Sequence, residues 1–157
     1  MINNAGQTAV GPVATINPDH YRQIIELNLL GPLHAIQAVV PKMKAQGGGV
    51  IINISSNVSK MVIPGIGAYA STKYALNGLS LTARGELAAD NIRVVLFLPG
   101  QTATDFGKNA LRPENMGNWR PGGNQPMPEP DSAEAVAHKI LEAAISEPAE
   151  MGMPMQG

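Results

Sequence analysis

Two periods of apolar residues organise the 157-residue chain. From Pro18 onward, Tyr21, Ile24, Ile25, Leu29 and Leu33 recur at helical spacing, and Asn17 ahead of Pro18 offers an N-cap followed by proline at the first helical position. A helix is therefore predicted over residues 18–45. The stripe Leu76, Leu79, Ala83 and Leu87 predicts a second helix over residues 68–89. Between them, Gly47-Gly48-Gly49 marks a turn, and residues 50–55 form a β-branched run of the kind found in strands buried on both faces. Residues 92–98 repeat that pattern and stop at Pro99-Gly100, while residues 1–6 read as the end of a strand entering a turn. The alternation of strand and helix predicts an α/β fold, a partial Rossmann-like, doubly wound parallel sheet with three clear strands.

Beyond Pro99 the pattern weakens. Residues 112–130 are rich in Pro and Gly and hold Met116, Trp119 and Met127, too irregular for a helix or strand. The stretch 107–130 is expected to be a substrate lid, the competing reading being an ordinary surface loop. A last helix is predicted over residues 131–146, capped by Asp131 or Ser132, and residues 147–157 are expected to form an irregular tail. The whole chain, 1–157, is read as one incomplete domain.

Composition narrows the function. Eleven basic and twelve acidic residues leave a net charge of −1, so no charge excess points to nucleic acid or an anionic membrane. There is no Cys, and His20, His34 and His138 are scattered, so no metal site is expected. No apolar run approaches the roughly 20 residues that span a bilayer, and a cytoplasmic location is expected by default.

The chemistry concentrates at Tyr69 and Lys73, four residues apart and thus on one helical face. Reducing a carbonyl requires a proton donor at its oxygen and a second group to hold that oxygen. For tyrosine to act as acid and base near neutrality its pKa must fall by roughly 3 units, or about 4 kcal/mol. A lysine charge about 4 Å away at an effective dielectric of 20 supplies on the order of that amount. Ser56 ends a strand thirteen residues earlier, Asn28 lies on the first helix, and the chain opens with Asn3-Asn4-Ala5-Gly6.

Taken together with Pro99-Gly100, this order and spacing resembles the short-chain dehydrogenase/reductase family over almost the whole chain. The resemblance implies Tyr69 as acid/base, Ser56 orienting the substrate oxygen, Lys73 binding the nicotinamide ribose and lowering the tyrosine pKa, and Asn28 in a proton relay. Ser55 is the rival for the serine role, and the family's spacing selects Ser56. Asn4, Ala5 and Gly6 match the turn along the adenosine side of NAD or NADP. Pro99, Gly100, Thr102 and Thr104 match the segment meeting the nicotinamide amide, with Thr102 where the family usually has Val or Ile. Pro32 has no N–H for the Asn28 carbonyl four residues earlier, and is expected to keep that carbonyl free for a relay water.

The same resemblance implies a small-molecule alcohol or carbonyl substrate and a homo-oligomer formed through helices 18–45 and 68–89. It also implies that the chain begins in the middle of the fold. No glycine-rich turn follows a first strand: Gly47-Gly48-Gly49 precedes its strand, and no strand feeds Gly65-Ile66-Gly67. The expected function is an NAD(P)-dependent oxidoreductase represented by a fragment, poorly soluble or oligomeric in isolation because of an open sheet edge. The alternatives are a catalytically inactive remnant acting by association with intact relatives and, less compatible with the short segment after Pro99, an epimerase or dehydratase.

Overall fold

The computed structural model describes residues 1–113 and 129–153. Four strands, β1 (Ile2–Asn3), β2 (Gly49–Ile54), β3 (Ile92–Leu98) and β4 (Glu150–Gly152), form one sheet in that order. All three pairings are parallel, with Ile2 opposite Ile52, Ile52 opposite Val95 and Phe97 opposite Met151. The connections carry α1 (Pro18–Ile25) and α2 (Gly31–Ala45), then α3 (Gly67–Leu87), then α4 (Ala133–Ser146).

Successive side chains of a strand point to opposite faces, and the core divides accordingly. Ile51, Ile92 and Val94 pack with Ile36 and Met43 of α2 and Ala83 of α3. Ile52, Ile54, Val95 and Phe97 turn to the other face and meet Val136 and Ala143 of α4. Helices on both faces explain why β2 and β3 are apolar at almost every position. The N-caps follow the same logic: Asn17 Oδ1 accepts from the Asp19 N–H at 2.8 Å and Ser132 Oγ from the Ala135 N–H at 3.1 Å. Of the two predicted caps for the last helix, Ser132 fills the position.

The structure departs from the sequence expectations in three places. The first helix is not continuous, since a π-helical turn, Glu26–Leu30, separates α1 from α2 and places Pro32 in the first turn of α2. The tail is not wholly irregular, since Glu150–Gly152 adds a fourth strand. The Arg84 guanidinium fixes that tail, donating to the carbonyls of Val94, Pro148 and Glu147, while Arg93 pairs with the Glu147 carboxylate at 2.7 Å. Finally, Pro18–Ala45 is by length and composition alone able to cross a membrane, contrary to the reading that no apolar run is long enough. Within it, Ile24, Ile36 and Met43 are buried against the rest of the protein.

Gly48 shows how tightly the turn into β2 is built. Its φ is +136°, and a Cβ there would lie 2.4 Å from the Asn91 carbonyl oxygen. Gly48→Ala is expected to destabilise the protein by about 1–3 kcal/mol through backbone strain and the displacement of Asn91. Urea denaturation measures this, and an unchanged midpoint would contradict it.

Candidate active site

β2 ends and α3 begins at the site. Ser56 follows the last buried residues of β2 and caps a 3₁₀ turn, Asn57–Lys60, its Oγ accepting from the Val58 N–H at 3.3 Å. Tyr69 lies in the first turn of α3 and Lys73 one turn further, and both are buried, with 8% and 4% of their surface exposed. The Ser56 side chain lies near enough to the Tyr69 phenol to act against the rise in its pKa. Lys73 Nζ donates to the Ile54 carbonyl at 2.9 Å and lies 5.7 Å from the centre of the Tyr69 ring. Ser55 faces elsewhere, its hydroxyl 2.5 Å from Asn77 Oδ1.

Asn28 reaches the same place from the π-helical turn. It is fully buried, and its amide is spent on the Gln7 backbone and one side chain: Oδ1 accepts from the Gln7 N–H at 2.9 Å, and Nδ2 donates to the Gln7 carbonyl at 2.8 Å and Thr72 Oγ1 at 3.1 Å. Thr72 Oγ1 in turn donates to the Tyr69 carbonyl at 2.8 Å. Asn28 thus ties the segment after β1 to α3. Neither Gln7 nor Thr72 was singled out from the sequence, although a Thr three residues beyond Tyr69 is spaced to bond back to its carbonyl.

Gly6 brings the Asn4–Gly6 turn over the lysine. A Cβ at Gly6 would lie 3.3 Å from Asn28 Oδ1 and 3.7 Å from Lys73 Nζ, so a side chain there would press on the Asn28 amide. On the far side, the segment after β3 closes the site. The Pro99 carbonyl accepts from the Asn57 N–H at 2.9 Å, the Asp131 N–H donates to the Gln101 carbonyl at 2.8 Å, and Thr102 lies opposite Asp131. Thr104 Oγ1 accepts from the Phe106 N–H at 3.4 Å, and the Phe106 ring lies 5.7 Å from that of Tyr69 at a tilt of 57°. Met116, Trp119 and Met127, expected in a lid, lie outside the described residues.

The electrostatics differ from the sequence expectation. Burial pushes Tyr69 up to about 12 against the opposing hydrogen bond from Ser56, and burial pushes Lys73 down to about 8. A dry environment favours the uncharged form of each group. The expected lowering of the Tyr69 pKa assumed a full charge about 4 Å away. Here burial of the phenol outweighs the interactions that would lower its pKa, and burial also loosens the Lys73 proton. Near neutrality the pair rests as phenol and ammonium, the ammonium holding its proton less firmly than that of an exposed lysine.

Comparison with known proteins gives this geometry its lineage. Residues 1–115 match the family model for short chain dehydrogenases. A 3alpha-hydroxysteroid dehydrogenase of Mediterraneibacter gnavus is 40% identical over 68% of this chain and 42% of its own length. An uncharacterised oxidoreductase of Schizosaccharomyces pombe is 30% identical over 98% of the chain and 68% of its own length. A short-chain dehydrogenase of Sphingobium yanoikuyae, solved with NADPH, superposes with a TM-score of 0.82 at 25% identity, covering 99% of this chain and 57% of that one. The chain therefore spans about half of these relatives, and within that span it belongs to the short-chain dehydrogenase family.

Proposed function

We propose that the protein carrying this chain is an NAD(P)-dependent oxidoreductase that interconverts an alcohol and a carbonyl. The observation that carries the reading is the convergence of Ser56, Tyr69 and Lys73 in one buried site beside the Asn4–Gly6 segment. Residues able to hold the cofactor's ribose and nicotinamide are Tyr69, Lys73, Pro99, Gly100, Thr102 and Thr104, with Asn4, Ala5 and Gly6 along the adenosine side. A bound dinucleotide supplies or accepts the hydride. The Tyr69 phenol gives a proton to the carbonyl oxygen in reduction and recovers it in oxidation. Ser56 holds that oxygen, and Lys73 places a donor beside the phenol. Asn28 fixes the Gln7 backbone against α3 and keeps the turn in register with the reacting groups.

Phe106 indicates the substrate class. Phe106 is 40% exposed and its ring lies against that of Tyr69, offering an apolar wall beside the phenol ring. A ketone or secondary alcohol on an apolar ring suits that wall better than a polyhydroxylated chain, and one relative is named for a hydroxysteroid. Consumption of NADH and NADPH with cyclic and steroidal ketones, compared with open-chain ketoses, tests this. The apolar ring ketones should have kcat/KM at least about tenfold higher, and Phe106→Ala should narrow the gap. A preference for the ketoses would overturn the substrate class, and no turnover with either dinucleotide would overturn the activity.

A further inference from the structure

α3 grips the end of β2 through successive turns. Tyr69 meets Ser56, Lys73 meets the Ile54 carbonyl, and Asn77, one turn beyond Lys73, meets Ser55. Asn77 does more than hold Ser55. Its Nδ2 donates to Ser59 Oγ at 2.8 Å, and Ser59 Oγ donates to the Ser56 carbonyl at 2.6 Å. Ser55 and Ser59 are 2% and 1% exposed, so water cannot readily replace these partners.

The direction of this chain is set by proton count. A hydroxyl has one proton to give. Ser59 gives its proton to the Ser56 carbonyl, so the group of Asn77 that faces Ser59 must be the NH₂. Oδ1 then faces Ser55, whose hydroxyl donates to it at 2.5 Å. The bonds run one way, from Ser55 through Asn77 and Ser59 to the peptide of Ser56. The Ser59 N–H also donates to the Ser56 carbonyl, at 3.0 Å, so that oxygen has two donors from one residue.

We infer that Asn77 and Ser59 are positioning residues for Ser56: their one-way hydrogen-bond chain fixes the Ser56 peptide and thereby aims its hydroxyl at Tyr69 and the substrate oxygen. This rests on the role proposed above for Ser56. A displacement of about 1 Å at a reacting group can cost as much as 10²-fold in rate, so a loosened Ser56 would lose much of what the serine contributes.

A double-mutant cycle tests it in the protein that carries this chain. Ser59→Ala removes the side-chain donor to Ser56. Asn77→Asp keeps the shape of the side chain but can no longer donate, so the Ser59 hydroxyl turns from the Ser56 carbonyl to the carboxylate. Each should lower kcat by about tenfold with the KM for dinucleotide little changed. In a Ser56→Ala background, Ser59→Ala should cost less than about twofold, since a residue acting through Ser56 has nothing left to position. Equal losses in both backgrounds would overturn the proposal, because a merely structural serine lowers activity whether or not Ser56 is present. Amide hydrogen exchange gives a reading without turnover: residues 57–61 should exchange faster in both single variants. Unchanged exchange overturns the positioning role, whereas faster exchange in a protein without turnover upholds it and removes the oxidoreductase reading instead.

Discussion

Replacing Tyr69 by Phe is expected to lower kcat for alcohol oxidation by about 10²–10⁴-fold, the range contributed by a positioned acid/base, while folding is nearly retained. The variant deletes one oxygen and leaves the buried ring and its tilted contact with Phe106 in place. The wild-type pH profiles carry the same argument. With its pKa pushed up to about 12, Tyr69 keeps its proton throughout the neutral range. Carbonyl reduction, which needs the phenol, should be flat from pH 6 to 8, whereas alcohol oxidation needs the phenolate and should rise with pH over the same interval. Steady-state rates in both directions measure this. Oxidation that is independent of pH, or a Phe variant retaining more than about a tenth of wild-type kcat, would remove Tyr69 from the role.

The parts of the molecule that could be read in the sequence are those whose partners lie nearby or whose environment is uniform. The stripe of α3 and the N-cap at Asn17 are local, and β2 and β3 announce themselves because helices cover both faces. The strand Glu150–Gly152 has no such signature: it is three residues long, and the tail is held by Arg84, 63 and 64 residues away from its acceptors at Glu147 and Pro148. The π-helical turn was also hidden, because Pro32 signals a missing bond without saying how the helix accommodates it. At the site, Tyr69 and Lys73 were legible as neighbours on one helix. The hydrogen bonds of Asn28 to Thr72 and of Asn77 to Ser59 cross 44 and 18 positions and leave no periodicity. The direction of the Tyr69 shift escaped for a further reason. Spacing supplies a distance between charges, but the cost of drying them depends on everything packed around them.

That cost is measurable at Lys73. Lys73→Met is expected to suppress turnover and yet to stabilise the fold at pH 7 by on the order of 2 kcal/mol. Lowering a lysine pKa from 10.5 to about 8 corresponds to roughly 3 kcal/mol of disfavoured charge, and losing the hydrogen bond to the Ile54 carbonyl takes back about 1 kcal/mol. The sign follows from proton linkage. Below pH 8 the lysine is protonated in both folded and unfolded chains, and the folded chain carries the whole burial penalty. Between pH 8 and 10.5 the folded chain releases its proton while the unfolded chain keeps it, so wild-type stability rises with pH. Tyr69 acts in the opposite sense, because its folded pKa of about 12 exceeds the ordinary value of 10.0, but only above pH 10. Wild-type stability in urea should therefore climb from pH 8 to a maximum near pH 10, with the Met variant lacking the climb and its advantage shrinking across that window. Parallel curves for the two proteins between pH 8 and 10 would show that Lys73 is not held toward its neutral form, and that the amine beside Tyr69 carries its full charge.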